Sequence, residues 1–555
     1  MTANSFLRQT SFLLIAGVAL AAPGAAQNGG DSIPGGPFVS DPVVPFVLDV
    51  DLRDLPRAPV WKPGDPIEVV PERVFSDGPT ERIESWLDPV LQESLPTFPG
   101  FLLFAFEAHP PSNSNPPDTV GAVGPNHYIS MVNASRFAIW NKQGVNIVPP
   151  TLLNTLWGGG ASPCSDGDGD PIVEYDDLAD RWLMQEFDTT GNTFCIYISQ
   201  GPDPVTDGWF SYSFSTTVFP DYPQYGVWPD AYYAGTFESP DLGIYAFDRT
   251  NMLLGQPATF QRFAIPHLEG TSPRVTRILP ADLDGANPPP SGAPNPFVRS
   301  VHETMDNSDM RTRLELWDFH VDFATPANSS FTFEQEFLPA PFALLPCSPG
   351  VRDCVPQPGT PTLIDALFNR ALRRLQYRIT DDDVETMLIN QVVDAGSGVA
   401  GIRWWELQRT MSPLGAGWTL RQDATYSPDS TYRFMGSMAM NGVGDIALGY
   451  SASSSSVFPS IRATGRRAGD PLNEMTMAEL TIVPGVASMA ASQRWGDYSS
   501  MDVDPADDKT FWYINQILTS TSQRSVWVGA FSLDIVFANG FESNDFSAWS
   551  SVTTP

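Results

Sequence analysis

Carboxylates, tyrosines and arginines recur in this 555-residue chain at the starts of short alternating segments, where a repeated β unit would deliver them to one place. Asp118 precedes Thr119 and a run to Tyr128, and Asp170 precedes Pro171 and a run to Trp182. Tyr225-Gly226 leads to Tyr232-Tyr233, Met435-Gly436 leads to Ile446, and Arg494-Trp495-Gly496-Asp497-Tyr498 leads to Phe511-Trp512-Tyr513. Paired carboxylates in a partly desolvated pocket serve as general acid and base. The candidates for such chemistry are Asp118, Asp170, Arg403, Glu406, Arg433, Arg494, Asp497 and Tyr498. The competing reading is structural: a carboxylate accepts backbone N–H bonds and fixes one repeat against the next.

A second constellation is Asp166-Gly167-Asp168-Gly169-Asp170. Carboxylates at alternate positions, with glycines that permit a tight wrap, are what a hard cation requires, so calcium at Asp166, Asp168 and Asp170 is expected. The loop lacks the sixth-position glycine and distal glutamate of an EF-hand, and a solvated acidic turn beside Cys164 is the alternative. Asp502, Asp504, Asp507 and Asp508 read as a hairpin turn. Tyr225, Trp228, Trp404, Trp405 and Trp495 offer flat apolar faces that match sugar rings, although strand cores need the same residues. There is no Gly-x-Ser-x-Gly, His-Glu-x-x-His or Gly-Lys phosphate loop, and the histidines are scattered.

One strand–turn–strand unit repeated about a ring is how a β-propeller is written in sequence. The expected fold is all-β, a single propeller of about six four-stranded blades over residues 116–534, with seven the alternative. A sandwich would be nearer 100 residues per domain. Helix is expected only around 362–374 and as a turn at 251–254. Residues 27–115 are proline-rich and read as an irregular leader, partly disordered or laid along the domain. Residues 535–555 form a tail too short to be a domain.

Arg8, the apolar run Phe12 to Leu20 and the small residues Gly24-Ala25-Ala26 read as a signal peptide over 1–26. No later segment approaches the roughly 20 apolar residues of a membrane span. With 64 acidic and 31 basic residues the chain carries −33, which repels phosphate backbones and argues against nucleic acid. Four cysteines in an exported chain suggest two disulfides. Proximity favours Cys164–Cys195 and Cys347–Cys354.

Several segments resemble a group of exported bacterial proteins, mostly uncharacterised, with sialidase-like or BNR-like propellers. They include Pro117-Asp118-Thr119, Gly121 to Tyr128, Asp170 to Val173, Asp180-Arg181-Trp182 and Leu279 to Asp284. Gly401 to Glu406, Ala447 to Ser451 and Trp495 to Tyr498 continue the resemblance. A sialidase needs three arginines on a carboxylate, a tyrosine–glutamate pair and an acidic aspartate. The Asp-box of that superfamily is degraded here to Ser427-Pro428-Asp429-Ser430-Thr431-Tyr432-Arg433-Phe434, with Thr431 for glycine and Phe434 for tryptophan. The tail Gly540-Phe541-Glu542-Ser543-Asn544-Asp545 through Trp549-Ser550 is similar to endings on assorted exported proteins of Gram-negative bacteria, which implies sorting or surface retention.

The expected function is therefore an extracellular or surface-retained monomer that binds a ligand, a glycan foremost, at the channel mouth without catalysis. A sialidase-like glycoside hydrolase and a purely structural surface protein are the alternatives.

Overall fold

Short runs of Val, Ile, Tyr, Phe and Trp bounded by Gly, Asn and Asp turns pair into antiparallel hairpins. The computed structural model describes residues 36–534 except 63, 66, 67, 70–85, 112, 113, 160, 161, 167, 269–276, 307, 348–352, 381, 382, 412–416 and 491. The expected signal peptide and tail lie outside the described residues.

The hairpins assemble into seven successive four-stranded blades, the higher of the two counts read from sequence. Their first strands are β1 (Val120–Val123), β2 (Gly169–Asp176), β3 (Asp221–Val227), β4 (Ile278–Asp284), β5 (Ala371–Thr380), β6 (Tyr432–Met440) and β7 (Ser500–Val503). Each packs against the next, and β7 packs against β1, so the ring closes around a central channel. β4 and β5 also pair directly in parallel, from Ala281 opposite Leu375 to Asp284 opposite Arg378.

The ring is fastened by a segment that the sequence reading placed in the leader. Residues Phe101–His109 form the outermost strand of the seventh blade, antiparallel to Arg524–Ser532. Phe46–Leu48 and Phe38–Val39 likewise add fifth strands to the second and third blades. The domain therefore begins well before residue 116. These strands hold no proline themselves; Pro37, Pro45, Pro99 and Pro110 lie just outside their ends, where no ladder donor is lost.

The helix expected over 362–374 is also replaced: Ala371–Thr380 is the innermost strand of the fifth blade. Its apolar residues Leu372 and Leu375 and its arginines are all buried, so tertiary packing overrides the helical pattern of Ala371 to Gln376. A short helix does occur at Arg249–Leu253, capped by Asp248 accepting from Asn251 N. Disulfides join Cys164 to Cys195 and Cys347 to Cys354.

Candidate functional site

The channel has two mouths, one at the leading ends of the first strands and one at their trailing ends. At the leading mouth the backbone turns sharply. Asp118, Asp170, Tyr222 and Met435 adopt left-handed φ of +41°, +43°, +51° and +53°. β2, β3 and β6 each carry a bulge beside that residue, which re-aims its side chain. Asp118, Asp170, Arg494, Asp497 and Tyr498 converge here, together with Asn133, Tyr222, Arg277, Arg370 and Arg524, which the sequence reading missed.

These groups bond to one another. Asp118 Oδ1 accepts from Asp497 N at 2.6 Å, and its Oδ2 accepts from Asn133 Nδ2. Asn133 Oδ1 accepts from Asp170 N at 2.8 Å, and Asp170 Oδ2 accepts from Tyr222 N at 3.2 Å. Tyr222 donates its hydroxyl to Asp497 O and Tyr498 donates to Pro171 O, each at 3.0 Å. Arg494 Nη2 reaches Asp497 Oδ1 at 2.9 Å. Burial, with the Asp497 charge adding to it, pushes Asp118 up to about 8. Burial also lifts Asp170 well above the carboxylate range. This is a brace between blades one, two, three and seven, in which backbone N–H groups, Asn133 and Arg494 engage the Asp118, Asp170 and Asp497 carboxylates.

Three candidates from the sequence lie elsewhere. Arg403 is buried against Asp88 at 3.1 Å and Asp423 at 2.6 Å. Glu406 takes Arg421 at 2.8 Å and Gln422. Arg433 is held by Glu479 at 2.9 Å and Asp429 at 3.0 Å. All three are buried in these ion pairs, and Arg403, Arg433 and Arg494 share no partner among these contacts, so they do not form a sialidase-type set. The proposed sugar-stacking rings Tyr225, Trp228, Trp404, Trp405 and Trp495 are each no more than 2% exposed and fill the core between blades. In the acidic loop, Asp168 Oδ2 accepts from Thr189 N at 2.7 Å, and Asp170 belongs to the brace. Asp166 ends a short helical turn, Pro163–Asp166. Among the described residues no group of three His, Cys, Asp or Glu side chains is arranged to hold a metal ion.

The trailing mouth is different. A small cleft open to solvent is lined by Glu174, Tyr175, Asp177, Asp282, Asp284, Arg374 and Asp502. It leaves room for about one water-sized group. Arg374 gathers three of the carboxylates: Asp282, Asp284 Oδ1 at 2.7 Å, and Asp502 Oδ1 at 3.4 Å. Gln376 Nε2 donates to Asp284 Oδ2 at 2.5 Å. Asp177 Oδ2 accepts from Gly285 N at 2.8 Å. Burial raises Asp177 and Asp502 to about 7, and Asp502 Oδ2 has no hydrogen-bond partner. Tyr175 stands half-buried at the rim, its ring 5.0 Å from Trp182 and its hydroxyl donating to Asp180 at 2.7 Å. The signal for this cleft was available in sequence only as scattered Asp and Glu at strand ends.

No family model and no curated protein matches the sequence. Among solved structures, an ulvan lyase described as a new family of polysaccharide lyase is 9% identical, with 81% of this chain and 95% of that chain covered and a TM-score of 0.38. The WD40 domain of SCAP from fission yeast is 9% identical, covering 75% and 95%, with a TM-score of 0.32. An α-L-arabinanase of Penicillium chrysogenum, complexed with arabinobiose, is 10% identical over 77% and 98%, with a TM-score of 0.30. Likeness at this level carries no argument about activity. The propeller assignment rests on the chain's own seven-bladed ring.

Proposed function

We propose that the protein is an exported propeller that binds an extracellular glycan, without catalysis, at the trailing mouth of its channel. The observation that carries this reading is the solvent-open cleft in which Glu174, Asp177, Asp282, Asp284 and Asp502 meet beside the rim ring of Tyr175. Carboxylates accept hydrogen bonds from sugar hydroxyls, and an aromatic face covers the apolar side of a pyranose. The cleft admits a hydroxyl group, not a ring, so the sugar lies across the rim. Arg374 already holds three of the carboxylates, which favours recognition over paired acid–base work.

A second reading, glycoside hydrolysis, is favoured by Asp502, whose carboxyl is raised to about 7 and whose Oδ2 is unpartnered. An acid poised near neutrality can protonate a leaving group. Calcium at the Asp166 loop is a separate proposal, with a purely bracing role.

Screening purified protein on a glycan array, with and without chelator, tests these readings. Saturable binding without release of reducing sugar supports recognition. Sugar release overturns it in favour of hydrolysis, and no binding to any glycan overturns both. A chelator-insensitive melting temperature removes calcium.

A further inference from the structure

At the opposite, leading mouth a buried cation lacks an acceptor. Arg277 is 6% exposed and forms no hydrogen bond or ion pair among the described residues. Its Nε and Nη1 are shut from solvent without a partner. Its contacts are aromatic faces: the guanidinium carbon lies 3.9 Å from the Phe237 ring centre and 4.8 Å from that of Tyr222. Arg370, 3% exposed, lies over the same Tyr222 ring at 5.2 Å, and its Nε donates to Asn369 Oδ1 at 3.0 Å. Cation–π contact offsets part of the burial cost of a guanidinium, but an unpaired buried charge remains strongly unfavourable.

We propose that the leading mouth holds one small monovalent anion of halide size, bound to the Arg277 guanidinium, with Arg370 adding to the positive field. The size follows from enclosure: Tyr222, Phe237 and Arg370 are each at most 3% exposed, so a ligand at the guanidinium is walled in and the smallest anions suit it best. The charge follows from the neighbours: Asp221 and Asp497 act on Arg277 electrostatically, and Asp170 and Asp497 act on Tyr222, which disfavours a dianion. Burial, then repulsion from Arg370, lowers Arg277 to about 9, with Asp221, Tyr222 and Asp497 offsetting only part of it. The anion would satisfy the orphaned donors and bind blade four to blades three and five. This site is independent of the glycan reading.

The test is a bromide soak of crystals of the full chain, together with melting temperatures in sodium bromide and in sodium gluconate at equal ionic strength. The expected result is an anomalous peak within hydrogen-bonding distance of Arg277 and a melting temperature that climbs with bromide concentration, as ligand linkage requires. Arg277→Met should abolish the climb, and Arg277→Lys should retain part of it. An ordered water in place of the peak overturns the proposal, as does a bromide response unchanged in Arg277→Met. Should Arg277→Met fail to fold, the wild-type soak decides.

Discussion

Arg373 of the fifth blade donates to Glu174 of the second at 2.7 Å, while its chain neighbour Arg374 holds Asp282 and Asp284 of the fourth and Asp502 of the seventh. Two consecutive residues thus tie four blades together inside the channel. Both guanidiniums and Glu174 are buried. Removing one member of such a network leaves uncompensated charge, which costs about 3–5 kcal/mol. Arg374→Met should therefore lower the urea midpoint sharply. Arg374→Lys should recover only part, because a point charge cannot serve three carboxylates as a planar fork does. A midpoint unchanged in Arg374→Met would mean that blade packing alone holds the ring.

Stability should fall as pH rises from about 4 to 8. Burial raises Asp118 and Glu186 to about 8, and Asp177, Asp318 and Asp502 to about 7, from ordinary values of 3.8 or 4.5. In that window the folded chain retains protons that the unfolded chain has released, so raising the pH favours unfolding. The buried histidines oppose this: burial lowers His109 to about 4 from 6.5 and lowers His127, His267 and His302 as well, so their contribution grows as pH rises toward 6.5. The five carboxyls act over a wider window, up to about pH 8. Urea midpoints at pH 5, 6, 7 and 8 should decrease in order, and Asp502→Asn should flatten the series. A midpoint that rises through this range would contradict the assignment.

The ring was legible from sequence because its turn chemistry and aromatic strands repeat. The fifth blade was hidden because residues 362–374 read as a helix, whereas Ala371–Thr380 is its innermost strand and carries the buried Arg373 and Arg374. The leading-mouth carboxylates were found for a physical reason: repeat position places them at strand starts. What sequence could not give was that both Asp118 oxygens and one each of Asp170 and Asp497 are engaged, or that Arg403, Glu406 and Arg433 are buried in ion pairs elsewhere. Burial of a charged group depends on partners such as Asp88 and Glu479, which lie 315 residues before Arg403 and 46 after Arg433. Phe101–His109 closes the ring with a partner strand over 400 residues away, beyond the reach of any local pattern.

The two disulfides should contribute unequally. Cys164–Cys195 spans 31 residues and Cys347–Cys354 spans 7. Loop-closure entropy predicts about 3.7 and about 2.4 kcal/mol respectively. Cys164→Ser with Cys195→Ser should thus lower the urea midpoint more than the Cys347→Ser, Cys354→Ser pair. The reverse order would show that the shorter loop does more than restrict the unfolded chain.

Tyr175→Ala should weaken glycan binding about tenfold, the loss of one aromatic face worth about 1.4 kcal/mol. Tyr175 is half-buried at the rim, with its ring 5.0 Å from Trp182 and its hydroxyl on the exposed Asp180, so the melting temperature should fall only modestly. Equal affinity in the variant would move the glycan away from the trailing mouth.

Closure by the Phe101–His109 strand makes the last prediction. Phe104 lies 5.3 Å from Trp512 and Phe106 lies 4.7 Å from Trp140, so this strand bridges the seventh blade to the first. A chain begun at residue 116, where the sequence placed the domain boundary, would expose the unpaired edge of Arg524–Ser532 and the apolar side of Trp512 and Trp140. An open hydrophobic edge is a template for association. The truncated chain should aggregate or lose its cooperative melt, and adding residues 97–115 back as a separate peptide should restore part of the transition by strand addition. A chain from 116 that remains monomeric with an unchanged melting temperature would show that the ring closes without its fastening strand.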